Sequence, residues 1–290
     1  MWTSSAIAYQ EISREEIVRR GKQATVLLKE GQRLRGTAFG VHSSGFFVTT
    51  SPAFEPQAAV LEVVLNPGQR NEQVLKADVV RRDKQLGFVL LRARARRATP
   101  TLALGSEDGL QELTELAAFG YPLGGGFPVR PGVGPSLNVS LRRINSLQRE
   151  DDSLDRILLD EVPARGLGGG PLLDREGKVV GVLTDRDPRG FGTSNAAIPI
   201  GHLKRFLERP ELDFQPPTEA GADESVTFLA KAISVLPNDE PLELELVLSS
   251  TVSRAVLGII AFAPIAFVEE AAFGGVRHGT AIRDAAGGDA

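Results

Sequence analysis

Cysteine is absent from all 290 residues, which excludes a disulfide framework, thiol chemistry and any Cys-ligated metal. Histidine is scarce, with only three in the chain. None of His42, His202 and His278 has a second histidine or a carboxylate at metal-ligand spacing, so no metal site and no cofactor are expected. Neither sign of charge dominates: 33 Lys and Arg against 37 Asp and Glu give a net charge of −4, which argues against nucleic-acid binding driven by phosphate contacts. The longest apolar run, 255–268, is 14 residues broken by Gly258 and Pro264, short of the ~20 needed for a membrane-spanning helix. The opening residues lack a basic and then apolar leader, although Ala6-Ile7-Ala8 matches a cleavage tail. A cytoplasmic location is therefore expected for the chain as it stands, and export if its start lies inside a longer precursor.

What remains is ordinary globular material. Hydrophobic content of 42% and charged content of 24% place the chain among folded domains, and its length suits one large or two ordinary domains at ~150 residues each. Residues 12–20 predict a short helix, with Ile12, Ile17 and Val18 on one side and Ser13 with Glu16 as a capping box. A series of strands follows at 24–28, 35–41, 46–50, 61–65, 74–83 and 87–95, opening as a meander with His42 in the first turn. That spacing is the spacing of an all-β barrel. Arg92, Arg94, Arg96 and Arg97 read as a solvated strand edge that discourages sheet-to-sheet association, with an acidic partner as the competing use.

Beyond residue 208 the composition turns rich in proline and acid, which predicts a linker over 211–224. A small β appendage is expected over 225–272, with a hairpin about PNDE whose Leu242, Leu244, Leu246 and Leu248 share one face. A run of strand split at Ala263-Pro264 comes next, and 273–290 reads as a disordered tail.

The stretch that organises the chain is 159–185, where the glycine-rich loop Gly166-Leu167-Gly168-Gly169-Gly170 joins two strand-like segments. Four glycines let backbone amides converge into an oxyanion hole or anion-binding nest. They serve equally as a tight turn before a strand. The loop and its continuation Pro171-Leu172-Leu173, then Asp174, Gly177 and an apolar strand, resemble the nucleophile region of trypsin-like serine proteases of the HtrA type, which reads G-N-S-G-G-P-L.

The resemblance extends along the chain. GTAFGVHSSGFFVTTSPAFE is similar to the family's G-S-G-F-V-V-x-x-x-G-x-I-L-T-N-x-H-V-V, DKQLGFVLLR to D-P-x-x-D-L-A-V-L-K, AAFGYPLGG to the G-x-P-x-G turn, and NAAIPI plus HLKRFLE to the closing strand and helix. The implied fold is mainly β, with two six-stranded barrels and a short C-terminal helix over 10–210. The positions matching the catalytic histidine, aspartate and serine hold Pro52, Gly87 and Gly168, none of which supplies a base, an orienting carboxylate or a nucleophile. The resemblance thus implies a catalytically inactive homologue, a pseudoprotease. It would hold a peptide or protein segment in the former substrate cleft, lined by Gly166, Leu167, Gly168, Gly169, Leu183, Thr184 and Asp185. The competing reading is a serine-type endopeptidase with relocated catalytic residues. On the first reading, Pro52→His, Gly87→Asp and Gly168→Ser together would rebuild a triad.

Overall fold

In the computed structural model, the described residues are 11–31, 33–50, 61–122, 135–161, 165–185 and 195–209, together with the strand backbones of 211–215, 227–233, 242–249, 254–262, 269–274 and 283–284. The chain divides into two compact units, Met1–Phe206 and Leu207–Ala290. Pro52, the Ala6-Ile7-Ala8 triplet, the end of AAFGYPLGG and His278 lie outside the described residues.

The first unit opens with α1 (Arg14–Ala24). Ser13 caps it: its Oγ accepts a hydrogen bond of 3.2 Å from the Glu16 N–H, satisfying one of the free donors of the first turn. The Glu16 carboxylate is turned instead toward Arg19 and Arg20. The buried face is Ile17, Gly21 and Ala24, which displaces the expected Ile12, Ile17 and Val18 face. Burial, rather than the polar start of the segment, sets the direction, because the helix runs on to Ala24 and Gly21 lies against the Phe119 ring.

The strands β1 (Thr25–Glu30), β2 (Arg33–His42), β3 (Phe46–Thr50), β4 (Leu61–Leu65), β5 (Gln73–Arg82) and β6 (Phe88–Ala93) follow in order. They close in the order β1-β2-β3-β6-β5-β4, the last strand pairing with the first. Alternate residues point inward, as the period of two requires. Val26 and Leu28, Leu61, Val63 and Leu65, and Val89, Leu91 and Ala93 fill one buried cluster with Phe47. Arg92 is not on a sheet edge, since β6 pairs with both β3 and β5, and Arg94, Arg96 and Arg97 follow the end of that strand. Arg92 lies 5.4 Å from the centre of the Phe46 ring, and Arg94 pairs with Asp78 at 3.0 Å.

A second six-stranded barrel is built from β7 (Glu115–Gly120), β8 (Asn138–Glu150), β9 (Ser153–Leu159), β10 (Pro171–Leu173), β11 (Val179–Thr184) and β12 (Ala196–Pro199). It closes in the order β10-β11-β12-β9-β8-β7. Leu116, Ile144, Ile157, Leu159, Leu172 and Val180 lie in its core. The expected two-barrel, mainly β architecture is what the first unit forms. The closing helix α2 (Ile200–Glu208) buries Ile200, Leu203 and Phe206. Phe206 returns to the first barrel, its ring 5.6 Å from that of Phe88, and its carbonyl accepts 2.8 Å from Arg81 Nη1.

The second unit is described by its strand pairing alone. Glu211–Gln215, within the stretch read as linker, forms β13 against β14 (Thr227–Ile233). β15 (Leu242–Ser249) pairs with β16 (Arg254–Phe262), and β14 pairs on its other side with β17 (Glu269–Gly274), which meets the two-residue β18 (Arg283–Asp284). The expected hairpin between β14 and β15 about PNDE is therefore not formed. Alternation assigns a strand's faces but says nothing of its partner.

Candidate functional site

The glycine loop lies between β9 and β10 and is held from both barrels. On the first-barrel side, Thr37 of β2 is fully buried and works in two directions. Its hydroxyl donates to the Gly166 carbonyl at 2.7 Å and accepts from the Tyr121 N–H at 2.7 Å. Thr49 of β3 donates to the Thr37 carbonyl at 2.6 Å. Gly169 nests into this pair: a β-carbon there would stand 2.3 Å from both the Thr37 carbonyl oxygen and Thr49 Oγ1, and its φ is +85°. Only glycine fits such a backbone and such an approach.

On the second-barrel side, Leu167 is 2% exposed and belongs to that barrel's core cluster, as does Leu183 at 1%. Of the residues expected to line a cleft, these two spend their side chains on packing. Leu183 also spends its backbone, because Gly169 N–H donates to its carbonyl and its own N–H donates to the Gly170 carbonyl, each at 2.8 Å. Thr184 is buried and pairs in register with Ala196 of β12. Gly169 and Leu183 are thus joined directly, while Gly166 and Gly168 are joined to Asp185.

Asp185, at the end of β11, turns its carboxylate back onto the loop. Oδ2 accepts from Gly166 N–H at 2.8 Å and Oδ1 from Gly168 N–H at 2.6 Å. Burial raises the pKa of this carboxyl, while the two amide donors and the nearby Arg165 charge pull it down. A β-carbon at Gly168 would stand 2.7 Å from Asp185 Cγ and 2.9 Å from the Asp185 nitrogen. The φ of Gly168 is not positive, so the obstacle to a side chain there is steric.

Gly87 lies in the turn between β5 and β6, with φ +78° and its N–H donating to the Asp83 carbonyl at 2.9 Å. Asp83 itself is consumed by that turn, its Oδ1 accepting from the Gln85 and Leu86 N–H groups, each at 2.8 Å. Gly87 directly precedes Phe88, whose partner across the ladder is Thr50, the last residue of β3. Thr49, one residue back, is the residue that touches Gly169.

The described histidines have structural partners. His42 Nδ1 accepts from the Ser44 N–H at 3.2 Å, and its ring stands edge-on to Phe46. His202 Nε2 donates to the Leu154 carbonyl at 3.1 Å, while Nδ1 accepts from Arg205 at 3.0 Å. Burial, then the Arg205 charge, lowers the His202 pKa. Among the described residues no group of three His, Asp or Glu side chains is placed to hold a metal ion. No helix among them is long and apolar enough to cross a membrane.

A family model, the trypsin-like peptidase domain, matches residues 36–182, about half of the chain. The chain belongs to the trypsin-like peptidase domain family. Within that family it resembles HtrA and DegP proteins. Human serine protease HTRA4 is 28% identical over 184 residues, 62% of this chain and 36% of that protein. A probable periplasmic serine endoprotease DegP-like from Halomonas elongata is 30% identical over 173 residues, 59% and 34% of the two chains. The corresponding protein of Chlamydia trachomatis is 32% identical over 178 residues, 61% and 33%. The chain spans about a third of the length of these curated relatives. The crystal structure of Deg5 superposes with a TM-score of 0.53 at 21% identity, covering 68% of this chain and 95% of that one, which bears on the fold.

The peptidase-domain frame explains which residues the sequence could not reveal. Thr37 and Thr49 lie far from the loop in sequence, inside the GTAFGVHSSGFFVTTSPAFE segment that carries the resemblance, and nothing in that segment marks them as partners of the loop. Asp185 is expected from the sequence to line a cleft, but its place on the loop amides follows from the chain returning along β11. The only sequence signal is an acid just after the second strand beyond the glycines.

Proposed function

We propose that this trypsin-like peptidase domain is non-catalytic and acts as a peptide- or protein-binding module, holding an extended segment in the cleft between its barrels. The observation that carries the reading is at Gly168. The loop position where the family's motif has serine has no side chain, and the space that a side chain would enter is taken by the Asp185 carboxylate and backbone nitrogen. Nucleophilic catalysis requires an activated oxygen or sulfur at that point.

The neighbourhood of β3 supports reading Pro52, Gly87 and Gly168 as the old triad positions. Thr49 touches the loop, Thr50 pairs with Phe88 beside Gly87, and Pro52 follows two residues after Thr50. For the bound segment, successive residues of a strand direct their backbone groups to opposite edges. Leu183 directs its groups to the loop, so Asp185, two residues on, offers its own to the same side, where an added strand would pair.

The second reading, a peptidase with relocated catalytic residues, draws on the printed names of the relatives, which are serine proteases. A fluorophosphonate probe and a casein digestion assay separate the two. The expected result is no labelling and no digestion. Labelling that disappears on substitution of one serine or threonine would establish the peptidase reading instead. A peptide-library pull-down with the intact chain is expected to return an extended segment whose capture is lost when the loop is altered at Gly169.

A further inference from the structure

At the other end of β10 from the glycine loop, the first unit has a cavity of about 610 Å³. The three residues of β10 separate it from the loop, about 10 Å at ~3.3 Å per strand residue. Backbone pairing fixes one wall: the Val179 N–H donates to the Ala103 carbonyl at 2.9 Å, and the Gly105 N–H donates to the Val179 carbonyl at 2.8 Å. The turn after β10 and Lys204 of α2 add polar lining, while Leu104, Leu110 and Val180 give the cavity an apolar part. A concave space of this size with a few polar groups around an apolar part is the usual form of a small-molecule site.

The charged side chains that line it do not all find partners. Arg175 pairs with Glu11 at 3.3 Å, Lys178 with Glu176 at 2.6 Å, and Glu115 with Arg14 at 3.8 Å. Asp108, Asp174 and Lys204 line the same cavity and have no ion pair among the described residues. Asp174 is held in place through one oxygen only: Oδ1 accepts from the Glu176 and Lys178 N–H groups at 2.9 Å each, and Oδ2 takes no hydrogen bond among the described residues. Burial is the leading influence on this carboxyl and raises its pKa, so its charge lacks the compensation that a cation would bring. A ligand of one charge would satisfy either the two carboxylates or the ammonium and desolvate the other. A ligand that carries both charges answers both, through charge-assisted hydrogen bonds at each end.

We propose that this cavity binds a small zwitterion with an apolar body, of the chemical class of the α-amino acids. Asp174, with Asp108, takes the ammonium, Lys204 takes the carboxylate, and Leu104, Leu110 and Val180 take the apolar side chain. The site lies away from the glycine loop and the cleft, and stands whether or not a peptide binds there.

The test uses the full chain, the amide resonances of Gly105 and Gly109, which line the cavity, and three probes. Leucine carries both charges, leucinamide only the positive one, and N-acetylleucine only the negative one. Leucine is expected to shift both resonances saturably, and each blocked form to need at least tenfold higher concentration. Asp174→Asn keeps the oxygen that holds the turn and removes the charge. It is expected to raise the leucine midpoint at least tenfold and to leave that of N-acetylleucine unchanged. Lys204→Met keeps the length of the side chain, and is expected to make leucine and leucinamide saturate alike. No saturable shift with leucine in the unaltered chain, or a blocked form that saturates as readily as leucine, would overturn the proposal. So would a folded Asp174→Asn or Lys204→Met that distinguishes the probes as the unaltered chain does. Should either variant fail to fold, the comparison of the three probes on the unaltered chain decides alone.

Discussion

Thr37 and Gly166, 129 residues apart, are joined by a hydrogen bond of 2.7 Å that runs from a first-barrel strand to the loop of the second. The same hydroxyl accepts from Tyr121 N–H, so one buried oxygen ties β2 to the loop and to the end of β7. Thr37→Val keeps the shape and removes the oxygen, orphaning the Tyr121 N–H and the Gly166 carbonyl. A loss of roughly 1–3 kcal/mol per group left without a partner is expected in urea unfolding, with Thr37→Ser close to the unaltered chain. A valine variant as stable as the parent would show that this clamp contributes nothing.

Gly169 and Gly31 give a matched comparison. Both have positive φ, +85° and +58°, but Gly31 has open space around it and Gly169 has two oxygens at 2.3 Å from an added β-carbon. Gly31→Ala is expected to cost only the backbone strain, about 1–2 kcal/mol. Gly169→Ala adds an overpacking cost of typically 1–3 kcal/mol, and should lower the thermal midpoint distinctly more. Equal midpoints would mean that the loop can withdraw from β3 freely.

On the proposed reading, restoring a triad demands a fourth change. Pro52→His, Gly87→Asp and Gly168→Ser would supply the three groups, yet the new serine enters the space of Asp185. The triple variant is therefore expected to resist a fluorophosphonate probe, and the combination with Asp185→Gly to label weakly. Equal labelling of the triple and quadruple variants would remove Asp185 as the obstacle.

His202 sets a pH dependence. Its pKa is lowered from the usual 6.5 by burial and Arg205, with the Leu154 carbonyl, Asp155 and Glu107 opposing. The folded state then binds its proton less readily than the unfolded chain, so stability falls as pH drops from 6.5 toward the depressed value and rises in the reverse direction. His202→Gln should flatten the urea midpoint against pH in that window. An unchanged slope would place the dependence on other groups.

Local patterns carried much of the fold. The strands Phe46–Thr50 and Leu61–Leu65 have the limits expected from their apolar runs and flanking turn residues, because those signals sit within a few positions of each strand. Strand spacing pointed to a barrel, but the two-barrel division and the closing pairs were legible only through family resemblance. The pairing of Leu27 with Val64 joins segments with no local signal linking them. The same reason explains the misassigned partners of Thr227–Ile233. At the site, the missing side chain at Gly168 could be read directly, whereas the carboxylate that fills its place is brought there by the return of β11.

Gly168 and Asp185 also constrain how this chain could change by descent. A side chain at the first and the folded-back carboxylate at the second compete for one volume. On the proposed reading, single-step reversion at residue 168 meets a steric barrier before any catalytic gain can be selected. Clearing residue 185 first strands two buried amides without an acceptor. On that reading both one-step routes lose stability before any activity is gained, so the pair behaves as a ratchet.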